Sequence, residues 1–161
     1  MFQGPVGVAY SQFYLGDGTE DLIPDYGCVL TGGVGLVGVE PGGAICCTAL
    51  HSGIVGVTVV VAETDPGPDL DGYEDIVEID FQALSASIAI EEWEADNVTE
   101  LGELPAGPGN YRLRYHAVGM DEAPVTYSPD LITARYLIQL WPTEPSGPTV
   151  VRKVSARSRR F

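Results

Sequence analysis

What most limits the fold of this chain is the shape of its apolar runs: they are short, rich in Val and Ile, and closed at both ends by Gly, Pro or Asp. Runs of about 4–8 such residues between turn formers read as strands, whereas a helix needs an apolar stripe sustained over roughly ten or more. Ten segments fit: residues 6–15, 27–31, 34–39, 44–50, 54–63, 74–81, 87–93, 111–118, 134–141 and 149–155. The stretches 31–34, 40–43 and 105–110 supply turns, because Gly takes positive φ without strain and Pro cannot donate to a ladder. Helix has little room. Ser128 before Pro129 resembles an N-cap followed by a first-turn proline, which predicts at most a turn or two over residues 128–133.

About ten strands in 161 residues predict an all-β fold, an antiparallel two-sheet sandwich or a distorted barrel. Residues 1–148 read as a single β domain, and 149–161 as the last strand with a basic C-terminal tail. Within 111–118, Tyr111, Leu113, Tyr115 and Ala117 point one way and Arg112, Arg114, His116 and Val118 the other, since side chains reverse at each strand residue. Residues 54–62 are almost continuously apolar and predict a central strand covered on both faces. Trp141 shares its face with Leu137 and Gln139 and is expected to be partly buried.

The charge is unevenly placed. Residues 1–111 hold 19 acids and no Lys or Arg; residues 112–161 hold four acids and all eight bases, for a formal net charge of −15. A chain with 45% hydrophobic residues is too apolar for acidic disorder, yet too negative to suit nucleic acid, whose phosphates require Lys and Arg from the protein. Arg152, Lys153, Arg157, Arg159 and Arg160 crowd the end, either as a solvated tail that partly neutralises the acidic body or as an arm that contacts a partner.

Fourteen acids and no base lie between Glu63 and Glu103. If Val77, Ile79 and Phe81 face inward, Glu74, Glu78 and Asp80 share the other face, about 6–7 Å apart, a coarse imitation of a phosphate backbone. The array predicts docking on a basic protein partner through Asp69, Asp71, Tyr73, Glu74, Asp75, Glu78, Asp80, Glu91, Glu92, Trp93 and Glu94. Tyr73 and Trp93 are the candidate aromatic anchors, because exposed ion pairs contribute only about 0–1 kcal/mol each. The alternative is an acidic surface that serves solubility on a non-inhibitory interaction or scaffold module.

No catalytic arrangement stands out, and no cofactor or metal is expected. His51 and His116 lack zinc-ligand spacing, and adjacent Cys46 and Cys47 would face opposite sides of a strand. The loop 65–75 fails as an EF-hand, since aligning Gly72 with the required glycine puts Gly67 at the first ligand position. A looser calcium site there stays open. The three cysteines are odd in number and two are adjacent, which predicts free thiols. There is no apolar window of membrane-spanning length and no signal-peptide pattern near the start, so the expectation is a cytoplasmic protein.

Two stretches carry a family resemblance. Val8-Ala-Tyr-Ser-Gln-Phe-Tyr-Leu15 resembles the opening strand of the ComJ-type competence nuclease inhibitors. Leu104-Pro-Ala-Gly-Pro-Gly-Asn-Tyr-Arg-Leu-Arg-Tyr115 is similar to a late turn and strand of that family. The latter, with Tyr136-Leu-Ile-Gln-Leu-Trp-Pro142, also resembles small acidic actinobacterial proteins of unknown function. The resemblance implies an intracellular protein that binds and silences a nuclease or toxin, as an immunity or inhibitor protein, with no catalytic residues. The Gly-rich segment 32–43 and the basic tail depart from the pattern.

Overall fold

The computed structural model describes residues 1–17, 24–93, 97–124, 126–128 and 133–161. The chain is nearly all β, in two sheets, one of them curled. The first comprises β1 (Phe2–Val8), β5 (Ser52–Val61), β11 (Arg135–Pro142), β9 (Gly109–Val118), β6 (Asp75–Ala83) and β12 (Thr149–Arg152), in that order, with the two-residue β10 (Tyr127–Ser128) beside β5. The second runs β3 (Val37–Glu40), β4 (Gly43–Cys47), β2 (Gln12–Gly16), β7 (Ser87–Glu91), β8 (Val98–Glu103). Pairing is antiparallel except at β5, which takes β10 and β11 in parallel.

The inner faces interdigitate. Val55, Val57, Val59, Val77, Ile79, Leu113 and Ile138 of the first sheet meet Phe13, Leu15, Val37, Ile88 and Ile90 of the second in one buried cluster. Tyr115 and Tyr136 stack at 5.5 Å between ring centroids, and Phe13 lies 6.5 Å from each. Their hydroxyls are not orphaned: Tyr115 donates to the Cys47 carbonyl at 3.0 Å, and Tyr136 accepts from the Ala49 N–H at 2.9 Å. A buried phenol left without a partner would cost about 1–3 kcal/mol, so these two bonds lock the sheets in register as well as filling space.

Several expectations need correction. The run 6–15 is not one strand; it breaks at Tyr10 and Ser11, both at positive φ (52° and 61°), where the chain crosses from the first sheet to the second. The segment Gly27–Thr31 is a one-turn helix, α1, rather than a strand. It lies against β3 at Gly38, where a Cβ would come within 2.4 Å of the Val29 nitrogen. That close approach, and not local propensity, decides its form. Strand β8 has only Val98 and Leu101 as apolar residues, three positions apart, and the alternation predicts no strand there. Strand β5 is interior to its sheet, but only one face is covered: Val55, Val57 and Val59 are buried while Gly56, Thr58 and Val60 line a shallow open side. The helical turn expected over 128–133 lies largely outside the described residues.

Candidate protein-binding surface

The acids that looked most exposed in the sequence are the ones most occupied. On the outer face of the first sheet, β9 presents Arg112, Arg114 and His116, as the alternation predicted, yet all three are buried. Antiparallel register sets Glu78 opposite Arg114 and Asp80 opposite Arg112. Arg112 donates to Glu78 at 3.0 Å and to Asp80 at 2.7 Å; Arg114 donates to Glu78 at 2.7 Å and to Asp65 at 2.9 Å. The Arg114 guanidinium also lies 4.5 Å over the Trp141 ring and bonds the Gln139 side chain. Fork-shaped guanidinium donors suit this sharing between carboxylates.

Two segments seal the layer. The loop 62–74 brings Asp65 to Arg114, the Gly67 carbonyl to the Gln139 amide, and the Asp69 N–H to His116 Nε2 at 3.2 Å. The segment before β12 brings the Ser146 and Gly147 N–H groups to Asp80. Burial raises the Asp80 carboxyl, but those amides and Arg112 outweigh it and hold it below the ordinary range. Bonds from Arg114 hold Asp65 low. Burial drives His116 down to about 4, so the ring is neutral. One tautomer serves both neighbours, Nδ1–H donating to the Leu137 carbonyl and Nε2 accepting from Asp69. Tyr73 packs on this ring at 5.2 Å.

Asp75 is wholly buried and holds the C-terminal segment. It accepts from the N–H groups of Val154 and Ser155 and from both the Ser155 and Ser158 hydroxyls, the last two at 2.6 and 2.8 Å. Arg157 donates to the Ala49 and Ala123 carbonyls, and Arg152 to the carbonyls of Leu70, Tyr73 and Glu74. The segment is therefore docked. The expectation that Glu74, Glu78 and Asp80 form a solvent-facing array is likewise corrected: Glu78 is 15% exposed and paired twice, Asp80 is bound by three groups, and Glu74 is half-buried with a bond from the Gly119 N–H. Of the acids predicted to dock between Asp69 and Asp80, only Asp69 and Asp71 are exposed, and Asp69 accepts from the Gly72 N–H within its own loop.

A different acidic surface stands open on the outer face of the second sheet. Pairing of β7 with β8 puts Glu91 beside Val98, Ala89 beside Glu100 and Ser87 beside Glu103 on one side. They line a groove of about 390 Å3 along the edge of the sheet. Burial, then the Asp17 charge, raises Glu91 above the usual carboxylate range. Among the described residues no Lys or Arg forms an ion pair with Glu91, Glu100 or Glu103. The other half of the face is closed by α1 and the chain end, where Val29, Tyr14, Ile45 and Cys47 cluster with Cys28, Trp93 and Phe161. Burial pushes the Cys47 thiol to about 12 and Cys28 to about 11, and Cys46 well up, which keeps the thiols protonated at neutral pH.

Where β7 ends, Trp93 joins Tyr10 and His51 in an aromatic corner: Tyr10 lies 4.7 Å from Trp93 and 5.4 Å from His51. Glu92 is fixed beside it by the Gly7 N–H at 2.8 Å and the Asn97 amide at 2.9 Å. Of the predicted residues, then, Glu91, Glu92 and Trp93 come together, Asp65's neighbours and the β6 acids serve the interior, and Glu94 lies outside the described residues. Sequence reading missed Glu100, Glu103 and Tyr10 as members of this surface. The Glu100 and Glu103 spacing in an acid-rich run after Trp93 was available, but only the pairing with β7 shows which acids share a face.

No family model matches the chain, and no curated protein matches it in sequence. Solved structures do. The fold resembles that of a nuclease inhibitor. ComJ from Bacillus subtilis, an inhibitor of the DNA-degrading activity of NucA, superposes at a TM-score of 0.55 over 89% of this chain and 96% of its own, with 19% identity. The protein of crocagin biosynthetic gene J matches at 0.54, covering 89% of this chain and all of its own, with 12% identity. The family resemblance read from the sequence is thus present in three dimensions, at the level of fold. No helix among the described residues is long and apolar enough to cross a membrane.

Proposed function

We propose that this protein is an inhibitor that binds a basic protein partner, a DNA-degrading nuclease being the first candidate, and that it is not itself an enzyme. The observation that carries the reading is the selective pairing of its acids: those on β6 are neutralised inside the molecule, while Glu91, Glu100 and Glu103 remain together along an open groove at a sheet edge. A surface of like charge held on paired strands attracts a Lys/Arg-lined substrate cleft and steers its approach at a rate that falls with salt. The fold shared with ComJ supports the same reading, since that protein inhibits a nuclease. The interaction belongs in the cytoplasm, where the three thiols stay reduced.

The test is a DNA-cleavage assay with purified nucleases, NucA first, titrated with this protein. Stoichiometric loss of cleavage is expected, and the reversal E91K/E100K/E103K should restore it by tenfold or more while leaving the fold unchanged. Inhibition that survives the reversal places the interface elsewhere; absence of inhibition of NucA and of other DNA-degrading nucleases removes the proposal in favour of a scaffold role.

A further inference from the structure

The turn that carries the chain between the sheets holds two consecutive non-glycine residues in the left-handed region, Tyr10 and Ser11. Such residues are strained by about 1–2 kcal/mol each, and strain of this kind persists where the surroundings require it. Its result here is a tyrosine 62% exposed, laid on the Trp93 ring instead of into the core. Beside the pair is a cleft of about 150 Å3 lined by Gly7, Val8, Ala9, Gly53, Glu92 and Trp93. Among the described residues its one charged lining group is Glu92, which is held in place: the Gly7 N–H and the Asn97 amide each occupy one oxygen, leaving further lone pairs to accept. A methyl on Gly7 would sit 2.6 Å from Glu92 Oε2, so an alanine there would push the carboxylate out of this place.

The molecule already contains this combination in completed form. In the interior an indole face, that of Trp141, and two fixed carboxylates, Glu78 and Asp65, hold the Arg114 guanidinium. The Trp93 corner sets a half-buried indole and a fixed carboxylate beside an open cleft. We propose that the cleft of Trp93, Glu92 and Tyr10 receives the guanidinium of an arginine side chain on a protein partner; this deepens the reading of the chain as a binder of a basic protein and rests on it for the partner's identity. The ring supplies cation–π attraction and the carboxylate a charge-assisted hydrogen bond, the two interactions a planar, weakly hydrated cation uses together. The basic groups nearby do not oppose it. His51, Arg157 and Arg160 line another groove that shares no lining residue with the cleft. The corner also adjoins Glu91 at the end of β7, so an arginine seated here would extend the acidic groove with a desolvated anchor, which charge alone does not provide.

The experiment uses the intact protein and a blocked peptide, acetyl-Gly-Arg-Gly-amide, with its citrulline counterpart, which keeps the shape and loses the charge. Binding is read from the indole Nε1–H resonance of Trp93 in amide correlation spectra, assigned with Trp93→Phe, with the buried Trp141 indole as internal control. The arginine peptide should shift Trp93 saturably and leave Trp141 still. Citrulline, Glu92→Gln and Gly7→Ala should each weaken binding about fivefold or more, and Tyr10→Gly, which suits the left-handed backbone and keeps the fold, should weaken it as well. Equal binding of the two peptides, unchanged binding by Glu92→Gln, or no movement of Trp93 overturns the proposal. Peptide binding together with no nuclease inhibition would sink the proposed function and leave the corner standing; nuclease inhibition with a silent Trp93 does the reverse.

Discussion

The outer faces of the two sheets carry the same kinds of residue and have opposite fates. On the first, Glu78 and Asp80 alternate with apolar residues along β6, and Arg112 and Arg114 face them across the register. A loop and a strap then close over the layer. On the second, Glu91 of β7 and Glu100 and Glu103 of β8 share one side across a register shift, and their neighbours across the register are Val98, Ala89 and Ser87. Among the described residues no Lys or Arg pairs with these glutamates, and Glu100 and Glu103 are exposed. A carboxylate's position on a strand face therefore says where it points; whether it is structural or available depends on the facing strand and on what lies above the sheet.

The contrast can be broken most severely from the buried side. Arg114→Ala leaves the half-exposed Asp65 without its cation and Glu78 with Arg112 alone, and it empties the place over Trp141 beneath the 62–74 loop; a loss of about 3 kcal/mol, the low end for truncating a buried pair, is expected as a fall in the urea midpoint. The reversal E78K/D80K should fail to fold, whereas E91K/E100K/E103K should change stability by less than about 1 kcal/mol. Equal effects at the two faces would erase the distinction.

Acid tests the same layer through His116. Its folded-state value, about 4, lies below the ordinary 6.5, so the unfolded chain binds the extra proton between those pH values. Stability contributed by the neutral ring is present above pH 6.5 and lost as pH falls toward 4, by roughly 3 kcal/mol over the window. Urea midpoints across this range read the loss, and imidazole resonances should show His116 still neutral at pH 5.

Asp75→Asn keeps the shape but weakens the charge-assisted bonds from Ser155 and Ser158, for a loss of about 1–3 kcal/mol and faster tryptic cleavage after Arg157 and Arg159. The smallest effect is of opposite sign. Ser11→Gly relieves a left-handed serine and should raise stability by about 1 kcal/mol, with no change in the acidic groove.

Much of the architecture could be read from the sequence because alternation and turn chemistry are local. Alternation separates the two faces of β9 from Tyr111 through Val118, and the burial of Trp141 follows from its neighbours. The reading failed where the deciding contact is remote. Five residues, Gly27–Thr31, spell a strand but coil into α1 because Gly38 lets them lie on β3. Strand β8, with two glutamates and a glycine among its six residues, has no apolar face to announce it and exists through pairing with β7. For the site, Trp93 with Glu91 and Glu92 could be picked out as an aromatic flanked by acids. Tyr10 could not, since its exposure arises from a backbone conformation that tyrosine seldom adopts.

The pairing of β6 with β9 also has a bearing on how the chain is made. Synthesis runs from the amino end, and the first 111 residues emerge bearing 19 carboxylates and no Lys or Arg. Strand β6 is complete by Ala83, but the cations that let Glu78 and Asp80 leave water are Arg112 and Arg114, about thirty residues later. Until β9 has cleared the ribosome, self-repulsion should keep the nascent chain expanded and its Val-rich strands apart. The late arginines then act as a timer, so that the first sheet closes only when the strand that belongs at its centre is there to close it.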